Sequence, residues 1–133
     1  MRIVLDTNVF ISAIFFSGPP CRILQAWRDD RVQLVVCPKI LAEYRQVALR
    51  LGRKHKGVDI LPLIDLVTVR SQIVPTIPLP KPICQDASDD IFLACALAGK
   101  TQTIVSGDRH LLDVSGFSSI RVLRPKTFVD MYL

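Results

Sequence analysis

At 133 residues the chain has room for one hydrophobic core and too little for two, so a single domain over residues 1–133 is expected. Apolar residues make up 50% and charged residues 22%, which excludes an intrinsically disordered chain. The formal charge of +5 points to a polyanionic partner only if local acids gather where that partner's charge is managed by a metal.

The first stretch, MRIVLDTNVF, carries the organising signal. Ile3, Val4 and Leu5 form a short apolar run that stops at Asp6, Thr7 and Asn8, the pattern of a buried parallel strand whose carboxyl end opens onto a ligand. Ligands in open α/β sheets sit outside the carboxyl ends of the strands. Asp6 on its own reads equally well as a helix cap, so other acids must decide.

Val9–Phe16 reads as a helix ended by Gly18, Pro19 and Pro20, and at eight residues it is far below the roughly 18 needed to cross a bilayer. No targeting segment and no membrane association are expected. A second helical piece runs from Cys21 to about Asp29, with Ile23, Leu24 and Trp27 inward. Gln33–Cys37 is an uncharged strand stopping at Pro38, which suits the first position of a helix.

From Lys39 to Leu51, Ile40, Leu41, Tyr44, Val47, Ala48 and Leu51 recur at helical spacing. Glu43 falls at the edge of that stripe, able to lean over the sheet, although alone it reads first as an exposed glutamate near Lys39. The basic turn GRKHKG at Gly52–Gly57, with Arg45 and Arg50 before it, fits phosphate contacts or a solvated helix end equally. Asp59 is expected to cap a helix to about Ser71. Pro75, Pro78 and Pro80 then confine any strand to a short piece near Ile73 and Val74.

The second informative stretch is CQDASDDIFLACALAGK, Cys84–Lys100. Ser88 reads as an N-cap, and from Ile91 to Ala98 the helix is apolar on nearly every side. Asp86, Asp89 and Asp90 crowd its mouth. One carboxylate there gains about 0.3–1 kcal/mol, whereas two carboxylates some 5 Å apart repel by about 3 kcal/mol at an effective dielectric near 20. A cation is therefore expected. Thr103–Ser106 is a strand ending in Gly107 and Asp108; His110 begins a short helix; Ile120–Leu123 is a last strand, and Thr127 is placed to cap a terminal helix.

Asp6, Glu43, Asp90 and Asp108 all fall at one edge of a parallel α/β sheet in this reading. Four converging carboxylates form an oxygen site suited to Mg²⁺ or Mn²⁺, ions that clamp phosphate oxygens and activate water. Hydrolysis of a nucleic-acid backbone is the chemistry expected. His55 and His110 are read as surface or structural residues. Cys21, Cys37, Cys84 and Cys95 show no C-x-x-C pair, so neither a zinc site nor a disulfide framework is signalled, and a reduced cytoplasmic setting is expected.

With these residues in hand, the chain resembles a PIN domain, in particular the bacterial and archaeal branch of toxins from toxin–antitoxin modules. The matching pieces are VLDTNVFISA at Val4–Ala13, LAEYRQVALR at Leu41–Arg50, DASDDIFLACALAGK at Asp86–Lys100, IVSGDRHLL at Ile104–Leu112 and VLRPKTFVD at Val122–Asp130. The resemblance implies a three-layer α/β/α sandwich around a mainly parallel sheet of four to five strands. It implies Asp6, Glu43, Asp90 and Asp108 as catalytic and metal-holding acids, with Asp86 and Asp89 as extra ligands or orienting groups. Thr7, Asn8 and Ser106 match polar positions that support those acids by hydrogen bonds. It further implies a Mg²⁺- or Mn²⁺-dependent endoribonuclease acting on RNA, an antitoxin partner and a homodimer. Arg45, Arg50, Arg53, Lys54 and Lys56 are the candidates for flanking phosphates. The competing expectations are a PIN-like module that binds RNA or a partner without turnover, and a phosphatase using Asp6 as nucleophile. The latter wants a second Asp where Asn8 stands.

Overall fold

A computed structural model describes residues 1–55 and 57–133. Its centre is a five-stranded, all-parallel sheet in the order β3-β2-β1-β4-β5, formed by β1 (Arg2–Leu5), β2 (Gln33–Val36), β3 (Gln72–Ile73), β4 (Thr103–Val105) and β5 (Arg121–Leu123). The helices are α1 (Thr7–Phe15), α2 (Pro19–Arg28), α3 (Pro38–Gly52), α4 (Ile60–Arg70), α5 (Asp90–Ala98), α6 (Arg109–Leu112) and α7 (Pro125–Tyr132), with a 3₁₀ turn at Ala87–Asp89 before α5. This is the α/β/α sandwich with a parallel sheet that the sequence predicts.

The strands carry apolar residues on both faces because helices cover both. Ile3, Val4, Leu34, Val35, Val36, Ile104 and Val105 are all at most 1% exposed. Each large side chain buried this way contributes about 1.5–3 kcal/mol. Helix α5 packs against β1, β4 and β2, and with Phe92, Leu93, Ala94, Cys95 and Ala96 all buried it is the core helix its composition predicts. Gly99 closes it so tightly on the sheet that an added Cβ would lie 2.5 Å from Val35 Cγ1.

Strand order decides where a ligand can sit. From β1 the chain winds outward through β2 to β3, then returns past β1 to add β4 and β5 on its other side. The direction reverses between β1 and β4, and at such a switch point the loops at the carboxyl ends diverge and leave a crevice. Leu5 is level with Val105 across that pair, so Asp6 and Ser106 emerge side by side.

Three local expectations differ. The 3₁₀ turn is capped by Asp86, whose Oδ1 accepts both the amide and the hydroxyl of Ser88; Ser88 is thus the donor and not the cap of α5. Pro125 occupies the first turn of α7, which starts before Thr127, because a proline's missing amide costs nothing there. Pro19 and Pro20 likewise belong to α2, after a Gly18 whose φ of 116° favours glycine. No single helix among the described residues is long and apolar enough to cross a membrane.

Candidate active site

Asp6 follows β1 directly. Its amide continues the ladder by donating to the Val105 carbonyl at 3.0 Å, and the residue as a whole is only 6% exposed. The side chain makes no capping bond to α1; Asp6 Oδ2 instead accepts the Ser106 hydroxyl at 2.6 Å, 100 residues away in sequence. Ser106 Oγ in turn accepts the Asp108 amide at 2.9 Å, and Asp108 Oδ1 accepts the His110 amide at 2.7 Å. One fully buried serine thus ties together the acids that follow β1 and β4.

Glu43 reaches the same place through its neighbour. Tyr44 is fully buried, its hydroxyl donates to the Leu5 carbonyl, and its ring stacks on Phe10 with centroids 4.2 Å apart. Those contacts pin the second turn of α3 against the end of β1. Asp6, Glu43, Asp89 and Asp108 consequently line one cleft of about 490 Å³, with Thr7, Asn8, Lys39, Gln46 and Ser88 also in its wall.

Asp90 is not brought into this group, contrary to expectation. Its two oxygens accept backbone amides, Oδ1 from Cys84 at 2.8 Å and Oδ2 from Ile83 at 3.1 Å, and it faces the connector on the other side of the 3₁₀ turn. Burial works to raise its pKa, but those two amides prevail and hold the carboxyl below the ordinary carboxylate value. Asp89 occupies the cleft in its stead.

The acids strain against one another. Burial raises the pKa of Asp6, and the charges of Asp108 and Glu43 add to it, with the Ser106 hydroxyl opposing. Burial also raises Asp89, to about 6, with Asp108, Asp86 and Asp6 pushing the same way and His110 opposing. Asp89 Oδ2 is buried without a hydrogen-bond partner, and so is Thr7 Oγ1. A buried carboxylate oxygen left unpaired among other carboxylates is expensive unless a cation meets it. This donor set of carboxylate oxygens fits a small hard divalent ion.

His110 was not singled out by the sequence. Its Nδ1 lies 3.5 Å from Asp89 Oδ2 and 3.7 Å from Asp108 Oδ1. Asp86, Asp89 and His110 each offer a ligand atom within 4.8 Å of the others, a second group able to hold a metal at the rim of the cleft. The carboxylate set therefore has an imidazole beside it, against the expectation of a site without histidine. The only signal was its position two residues after Asp108, where a helical turn brings it back toward the strand end.

Of the expected polar supports, Ser106 bonds an acid, Thr7 Oγ1 is unpaired and Asn8 lies exposed in the cleft wall. Arg45, Arg50, Arg53 and Lys54 are exposed on or just after α3 and do not line the cleft; Lys56 lies outside the described residues. Lys39, unassigned by the sequence, is the cation in the cleft wall.

A doubly covered parallel sheet with carboxylates converging at its switch point is an arrangement able to hold a divalent ion. Comparison with known proteins bears on this directly: residues 2–110 match the PIN domain, and the chain belongs to that family. PIN domains are generally metal-dependent nucleases, and the carboxylate groups of the cleft and its rim are compatible with divalent metal. An uncharacterized protein of Methanocaldococcus jannaschii is 27% identical over 147 residues, covering 99% of this chain and 92% of that relative. No solved structure matches the chain.

Proposed function

We propose that this chain is a Mg²⁺- or Mn²⁺-dependent endoribonuclease, working in the cytoplasm as the toxin of a toxin–antitoxin pair. The observation that carries the reading is the cleft in which Asp6, Glu43, Asp89 and Asp108 converge around a buried, unpartnered oxygen of Asp89. These four carboxylates would hold the ion, with Asp86 and His110 at the rim. When bound, such an ion supplies Lewis-acid stabilisation of phosphate oxygens and activation of water.

The chain's own residues do the rest. Ser106 fixes the orientation of Asp6 and the backbone of Asp108. Tyr44 fixes the turn that presents Glu43. Lys39 in the wall, and Arg45, Arg50, Arg53 and Lys54 beyond it, hold phosphates of the RNA on either side of the cut. Asp90 acts as a structural anchor for the 83–84 backbone and takes no part in holding metal. An antitoxin would silence the enzyme by covering the acid cleft, and the active species is a homodimer.

The test is cleavage of an end-labelled RNA panel by purified wild type and Asp6→Asn, with Mg²⁺, with Mn²⁺ and with chelator. Metal-dependent internal cuts that vanish in Asp6→Asn are expected. Retarded but uncut RNA would indicate a binding module instead, and turnover confined to small phosphoesters a phosphatase. Growth arrest on induced expression, relieved by the same substitution, tests the toxin role.

A further inference from the structure

Beside the acid cleft lies a second hollow, of about 360 Å³, between the connector after β3 and the mouth of α5. Its walls are apolar, supplied by Pro78, Leu79, Pro82 and Ile91, with the side chain of Ile77 at the rim 83% exposed. Two cations, Lys39 and Lys81, also line it. Lys39 and Ser88 belong to its wall and to that of the acid cleft at once, so the two hollows are neighbours across one partition. The acid cleft also shares Asn8 and Asp108 with a third hollow of about 310 Å³. The acid cleft therefore adjoins one hollow at Lys39 and Ser88 and another at Asn8 and Asp108.

We propose that the hollow between residues 76–82 and α5 is a nucleobase subsite, taking the base of the unpaired nucleotide next to the phosphate held over the acids. The inference rests on the ribonuclease reading above and adds where the strand runs and what selects it.

Three features favour this occupant. The volume falls in the range of small-ligand sites, with the mainly apolar lining and few polar groups such sites have. Lys39 stands on the shared partition, where the phosphate joining the two nucleotides would pass, and Lys81 adds a second positive group for the backbone. Asp90, the one acid in the lining, has both oxygens already committed to the amides of Cys84 and Ile83, so the lysines are not consumed by it. With proline and aliphatic side chains in place of aromatic rings, the subsite would grip any base modestly and demand chiefly that it be unpaired.

The test scans a cleaved single-stranded oligoribonucleotide with one abasic position at a time, using wild type, Ile77→Asp and Lys81→Glu. Both side chains are exposed and lie outside the acid cleft, so folding is preserved. Removal of one particular base next to the cut is expected to raise KM about tenfold with kcat kept. Ile77→Asp should raise KM similarly on intact RNA and add nothing further on the oligonucleotide abasic at that position, whereas Lys81→Glu, which removes a backbone contact, should raise KM on both substrates. Pairing that nucleotide with a complementary strand should stop cleavage. A flat abasic scan, or variants that cut intact RNA like wild type, overturns the subsite while leaving the nuclease in place; the second result is what a hollow reserved for a protein segment would give. Wild type that neither cuts nor binds any RNA overturns the parent reading and this proposal together.

Discussion

Asp89 and Asp90 are adjacent in the chain and face opposite ways: Asp89 lines the acid cleft with one buried oxygen unpartnered, whereas both oxygens of Asp90 are bonded to the amides of Ile83 and Cys84. One aspartate of the pair is available to a ligand, and its neighbour is spent on the backbone.

That division predicts opposite phenotypes for two conservative substitutions. Asp89→Asn should lower cleavage by at least about a hundredfold, since it removes a charge from the site that stabilises the reacting phosphate, and should leave the melting temperature unchanged or raised. Asp90→Asn should cost about 1.5–3 kcal/mol of stability by replacing a charged acceptor of two amides, while the folded fraction still cleaves. Denaturant titration beside a cleavage assay checks both; a stable, inactive Asp90→Asn would show that the wrong aspartate had been placed at the metal.

The raised acids predict an unusual pH profile for the metal-free protein. Asp89 moves from an ordinary 3.8 to about 6, so the folded state binds its proton more tightly than the unfolded chain does. The resulting stabilisation is complete below about pH 4 and disappears as pH rises through about 6. A rise of that size sets an upper limit of about 3 kcal/mol, lowered by screening because 16% of the side chain is exposed. Asp6, raised too, acts in the same direction. Divalent metal binds the ionised acids, so the thermal shift caused by Mg²⁺ or Mn²⁺ should be small at pH 5 and large at pH 8. An equal shift at both values would refute proton competition at the site.

Ser106→Ala removes the hydroxyl that donates to Asp6 and accepts from the Asp108 amide. Groups that orient metal-holding side chains typically matter by 10–100-fold in affinity, and a loss of about that size is expected in the metal concentration needed for activity. Calorimetric titration with Mn²⁺ measures it; an unchanged affinity would mean that the serine only fills space.

Tyr44→Phe keeps the stack on Phe10 and deletes only the hydroxyl that meets the Leu5 carbonyl. A buried carbonyl left unpaired costs about 1–3 kcal/mol, and kcat should fall as the α3 turn bearing Glu43 loosens. Loss of stability with kcat unaltered would separate Tyr44 from the site.

Much of this molecule is written in its order of residues. Buried parallel strands need apolar side chains on both faces, so IVL, QLVV and TIV stand out, and the abrupt polar stops at Asp6 and Asp108 mark where those strands leave the core. Glu43, at the edge of a regular apolar stripe, could be phased for the same reason: a continuous α-helix carries its angular register from one residue to the next. The mouth of α5 has no such register. A 3₁₀ turn advances about 120° per residue and an α-helix about 100°, so which of Asp86, Asp89 and Asp90 meets the cleft depends on where one passes into the other. It depends also on the backbone amides that Ile83 and Cys84 present after a proline-rich connector. Only the folded chain decides that, as it does the approach of His110 to Asp89 and the placing of Lys39 between two hollows, because each joins segments whose separation in sequence carries no information about their distance in space.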